Sequence, residues 1–147
     1  MPASLDPPRT FRKSSSAPNP PNQRLVKKSY EATVVLGVAL RGAATVARAN
    51  GQQADFETKI NEAEDTYKKA VEMDANRPDA YYNLGLLYKD YRTTSTDQKQ
   101  NITQYKRAKQ YFQDFLARAD RADGKRDEAQ GHISDCDKYV TILSKIQ

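Results

Sequence analysis

From about Leu25 onward, apolar residues recur every three to four positions in five stretches. That spacing places them along one face of a helix. The first stretch runs from Leu25 to Ala49 and stops at Asn50-Gly51, a helix-ending pair. The second starts near Asp55 and aligns Phe56, Ile60, Ala63, Tyr67, Ala70 and Met73. Asn76-Arg77-Pro78 then breaks the chain, and Pro78 is suited to open a third helix reaching Tyr91. After the polar run Thr93-Thr94-Ser95-Thr96, a fourth stretch aligns Ile102, Tyr105, Ala108, Phe112 and Phe115. Asp123-Gly124 turns the chain into a fifth, marked by Ile133, Cys136, Val140 and Leu143. No segment alternates as a half-buried strand does. The pattern predicts an all-α chain.

The stretches are also related to one another. Leu36-Gly37-x-x-Leu40 matches Leu84-Gly85-x-x-Tyr88, 48 residues later, and Ala63, Tyr67 and Ala70 match Ala108, Phe112 and Phe115, 45 residues later. Small residues at Gly37, Gly85, Ala63 and Ala108 let paired helices approach closely, while the large ones fill the space between pairs. This internal repeat resembles the tetratricopeptide repeat (TPR) family. Ala63, Tyr67 and Ala70 stand where that family places small, aromatic and small residues. Tyr81, Leu84, Gly85 and Tyr88 occupy its large, Leu, Gly and Tyr positions. The resemblance implies an α-solenoid of two extended helix pairs, about 30–77 and 78–120, closed by a capping helix at 125–146. Ala75 departs from it by replacing the usual proline. Fourteen extra residues separate Gly37 from Ala63, and eleven separate Gly85 from Ala108, against a period of about 34. Longer helices are expected to absorb much of the first insertion and a longer loop the second. The segments Ala80–Tyr91 and Ala108–Asp120, followed by a terminal amphipathic helix, further resemble repeat proteins of bacterial cell-envelope and gliding-motility machinery.

Charge divides the chain differently. Of 147 residues, 24 are basic and 19 acidic, a net charge of +5. Residues 1–29 hold six basic residues and one acid, so they account for all of it. Six of the seven prolines lie in the first 21 residues, beside Ser14-Ser15-Ser16. Residues 1–24 are therefore expected to form a disordered basic tail, with little to bury against the entropy of ordering. The longest uninterrupted apolar run, Val34–Leu40, is far short of the ~20 residues that cross a bilayer. Arg41 and Arg48 make this region a poor secretory signal. It reads as a helix of the domain, and no transmembrane helix is expected.

The residues exclude most chemistry. One histidine and one cysteine exclude a disulfide framework, a histidine-rich metal site and a zinc ribbon. Neither a dinucleotide fingerprint nor a P-loop occurs. No enzyme, cofactor or metal is expected. His132 lies in the polar stretch Gln130-Gly131-His132 and reads as a surface residue, whereas Cys136 reads as a small buried hydrophobe. Tyr105–Phe112 interleaves aromatic and basic residues, but Tyr105 and Phe112 fall on the apolar stripe. A specific nucleic-acid surface is not expected there. Glu62, Glu64 and Asp65, near Lys68 and Lys69, read as ion pairs on an exposed helix face.

A binding role remains. In the TPR family, partners lie along the concave face formed by the first helix of each pair. By register that face carries Val34, Val35, Val38 and Arg41 here, followed by Asp79, Tyr82, Asn83, Leu86 and Lys89. Asn83 stands where some members use asparagine to hold a peptide backbone. Val34 and Val38 replace the basic residue and second asparagine of the family's carboxylate clamp. The resemblance thus implies a non-catalytic scaffold that takes a protein or peptide partner, as an amphipathic helix or hydrophobic peptide, in an apolar groove with a tyrosine anchor. Val34-Val35-Leu36 also needs a cover, which a partner, a second copy in a homodimer, or further repeats would supply. The alternative is a tail-driven electrostatic anchor to membrane or nucleic acid, with the repeats as spacer.

Overall fold

A computed structural model describes the backbone of residues 21–146 and the side chains from residue 29 onward. Five helices follow one another, α1 (Pro21–Ala49), α2 (Gln53–Met73), α3 (Asp79–Tyr91), α4 (Gln98–Arg118) and α5 (Lys125–Lys145). No strand occurs among the described residues. The first helix opens on a proline, which needs no amide partner at a helix start. It therefore begins four residues before Leu25, and residues 21–24 are helix rather than tail. The rest of the expected tail, residues 1–20, lies outside the described residues.

Each helix packs chiefly on its neighbours in the chain, giving pairs α1–α2 and α3–α4 with α5 against α4. The core is one stripe per helix. Phe56, Ile60, Ala63, Tyr67 and Ala70 of α2 are buried, as are Ala108, Phe112 and Phe115 of α4. The α3 helix is enclosed along most of its length, from Ala80 to Tyr88. The glycines of the two repeats have equivalent surroundings. A Cβ at Gly37 would run into the Tyr67 ring, and one at Gly85 would stand 2.8 Å from the Phe112 ring. The close approach expected opposite Ala108 is thus made one helical turn further on, against Phe112.

The first insertion falls where expected, whereas the second is divided between a longer α4 and a loop. The first lengthens α1 and α2 around a short turn at Gly51, whose φ of +72° favours glycine. The second lengthens α4 and leaves a loop tied down by Asn101. Its side chain accepts from Ser95 N (3.0 Å) and donates to Ser95 O (2.8 Å). The pairs are joined through Tyr30 of α1, whose hydroxyl accepts from Ala80 N at 3.1 Å. Pro78 supplies no side-chain cap to α3, so a tyrosine 50 residues earlier satisfies one of its free first-turn amides.

Three expectations need correction. Ser29–Ala49 is long and apolar enough to cross a membrane by length and composition. Alanine and glycine extend its apolar character past the run that ends at Leu40. Its inner face nevertheless belongs to the core, through Tyr30, Ala44 and Ala47. Glu64 is buried rather than on a solvated face. It pairs with Lys68 (2.8 Å) and also bridges to Arg92 and the Tyr88 hydroxyl of α3. His132 is half-buried, its ring stacked on Phe112 with centroids 4.8 Å apart. Helical periodicity turns it with Ala129 and Cys136 toward α4.

Candidate functional site

Eight of the nine residues expected to form a partner groove line one cleft of about 590 Å³ between α1 and α3. The helix α1 contributes Val34, Val35, Val38 and Arg41, and α3 contributes Asp79, Tyr82, Asn83 and Leu86. Positions three and four apart on each helix share a face, so two stripes meet across the cleft. Lys89 is elsewhere. Its ammonium lies 2.9 Å from His132 Nδ1 and 3.3 Å from Asp135 Oδ2, tying α3 to α5.

The polar groups of the cleft sort into two ends. At one, Arg77 lies 3.5 Å from Glu31 and 3.6 Å from Asp79, with its guanidinium over the Tyr30 ring. At the other, Arg41 donates to Asn83 Oδ1 at 3.1 Å, and Lys125 lies over the Tyr82 ring at 5.1 Å. Neither Arg41 nor Lys125 has a carboxylate within ion-pair distance among the described residues. The second end therefore sets two cations without a direct ion pair beside an apolar floor, with the carboxylates of Glu128, Asp123 and Asp90 acting on Tyr82 from further off. Sequence reasoning missed Tyr30, Glu31, Arg77 and Lys125. The last comes from α5, which no pattern within one helix pair reveals.

Two of the expected residues have structural duties as well. Tyr82 is buried and packs edge-on against Phe112 and Phe115 at 5.6 and 5.1 Å. Burial raises its phenol pKa. The Asn83 amide donates to Asp79 O at 2.9 Å while its oxygen accepts from Arg41. The exposed part of the floor is thus valine from α1 and leucine from α3, with Val35 and Val38 its most open valines.

Two chemically reactive groups lie away from the cleft, in the seam between α5 and the second pair. Burial pushes the Cys136 thiol up to about 11, which suppresses the thiolate. Burial and the nearby Lys89 lower the His132 pKa, keeping the imidazole neutral so that Nδ1 can accept from the ammonium.

The arrangement is that of a helical-repeat protein with a cleft between the first helices of successive pairs. Residues 59–90 match the family model of the TPR repeat. That match spans the latter part of α2 and nearly all of α3. Repeats of this kind serve as interaction modules rather than catalysts, and they generally bind protein partners. No curated protein and no solved structure matches the sequence. The resemblance to envelope and gliding-motility proteins therefore has no relative in support.

Proposed function

We propose that the α1–α3 cleft holds an amphipathic helix or hydrophobic peptide of a protein partner, making the chain a non-catalytic scaffold. The observation that carries this reading is the convergence of Val34, Val35, Val38 and Leu86 on one open floor, between an end where Glu31 and Asp79 outnumber Arg77 and an end that carries Arg41 and Lys125. Apolar side chains of a ligand helix would bury against the floor, the usual source of affinity in helix-in-groove recognition. An acidic residue on the same helix would reach Arg41 and Lys125 and fix its direction, since charge sets orientation and partner choice more than affinity.

Tyr82→Ala is a poor probe, because that ring also supports the core. Val38→Asp places a charge on the floor without touching a buried contact. The test is fluorescence polarisation with Leu-rich amphipathic peptides bearing acidic, neutral or basic ends. The acidic series should bind tightest, and Val38→Asp should weaken it by about tenfold or more. Arg41→Ala should erase the preference for acidic ends. Equal binding by the parent and a folded Val38→Asp variant would move the site off this cleft.

A further inference from the structure

The face of α1 opposite the core carries no charge over four turns. Ala32, Val35, Leu36, Ala39, Gly42, Ala43 and Val46 all point outward and are exposed. Val35, Leu36 and Val46 are 66%, 53% and 60% exposed, among the largest values for any big apolar side chain described. The cleft lies on a different flank of the helix, with only Val35 shared.

We infer that this face is occupied by the same face of a second copy, in an antiparallel α1–α1 pair centred on Ala39. The warrant is self-complementarity of size. A two-fold axis at Ala39 sets each residue opposite the one whose number makes up 78 with its own. Val35 and Leu36 of one copy then lie against Gly42 and Ala43 of the other, and Val46 lies against Ala32. Every large side chain meets a small one, while Ala39 meets itself at the crossing. A closed two-fold contact requires this kind of self-matching surface, and small residues let the backbones approach closely enough for large ones to interdigitate. A lipid surface has no use for the pattern. It would reward large apolar groups along the whole face, and Ala39, Gly42 and Ala43 offer little area to bury. One helix crossing is a small interface, so the dimer is a concentration-dependent one.

Sedimentation equilibrium on the full chain, from about 5 to 500 μM, tests the inference. The mass should rise from 16.6 kDa toward twice that value. Ala43→Glu should remain a monomer throughout while keeping its helicity and melting temperature. The register has its own probe. Ala39→Cys should form a disulfide dimer under mild oxidation, because its copies meet on the axis, whereas Ala49→Cys should not. The native Cys136 is buried and its thiol suppressed, so it leaves the readout clean. A monomer at every concentration, or efficient crosslinking of Ala49→Cys with none of Ala39→Cys, overturns the pairing. Monomeric chain that floats with phosphatidylcholine vesicles, and loses flotation in Ala43→Glu, would assign the face to lipid instead.

Discussion

Gly37 meets the ring of Tyr67 in the first helix pair, and Gly85 meets that of Phe112 in the second. The helices that carry these glycines differ in every other respect. The third helix is wedged between α2 and α4 and buried on nearly all sides, whereas α1 has neighbours on one side and open valines on the other. The repeat motif therefore specifies how two helices of a pair touch. It does not specify how rigidly the pair is held, which depends on what lies beyond it.

Substitution at the two glycines should show that difference most strongly. Gly85→Leu drives a side chain into a ring that cannot retreat, and urea denaturation should record a loss of about 3 kcal/mol. Gly37→Leu starts from a closer approach, yet α1 can shift outward into open space. Its loss should be smaller by about 1 kcal/mol or more. Equal losses would mean that the first pair is as tightly clamped as the second.

A smaller effect is expected at the joint between the pairs. Burial opposes ionisation of Glu64, but hydrogen bonds from Lys68, Tyr88 and Arg92 outweigh it and lower its pKa. The folded state therefore holds a carboxylate that the unfolded chain would protonate first. This contribution is complete above about pH 4.5 and is lost as pH falls through the lowered folded value. Glu64→Gln should cost about 1.5 kcal/mol at neutral pH and flatten that part of the acid limb of a pH–stability curve.

The smallest effect concerns the capped end. His132 has its pKa lowered by burial and by Lys89, while Asp90, Glu128 and Asp135 act to raise it. Protonation is then easier in the unfolded chain, so stability should begin to fall as pH drops below about 6.5. His132→Gln should remove that shallow decline and leave the Glu64-dependent one. A decline that persists in the variant would assign the titration to another group.

What the sequence revealed follows the reach of local periodicity. The stripes Ala63-Tyr67-Ala70 and Ala108-Phe112-Phe115 announced themselves because residues three and four apart must share a face, and the glycines because they recur in register with those stripes. The half-turns of rotation that set one helix against another are not encoded locally. Glu64 beside Lys68 has the spacing of any solvated pair, and only the packing of α2 on α3 brings Tyr88 and Arg92 to it. His132 looked solvated for the same reason, since Gln130 and Gly131 on its own helix conceal the Phe112 ring across the seam. In the candidate cleft, register brought eight residues to one place. Lys89 instead faces α5, and Lys125 entered from a helix outside the repeat.

The order in which helices touch has a kinetic corollary. Nearly all packing joins a helix to the next one in sequence, and α1 reaches α3 only at its edge. Chains with such short-range contacts fold rapidly and in a nearly linear order. Helices α2, α3 and α4 carry most of the buried side chains, so they are the natural nucleus, with α5 and α1 added on. Unfolding should run the other way. Amide protons of α1 should exchange first, in a partial opening that spares the second pair, while those of Leu84, Leu87 and Phe112 should wait for global unfolding.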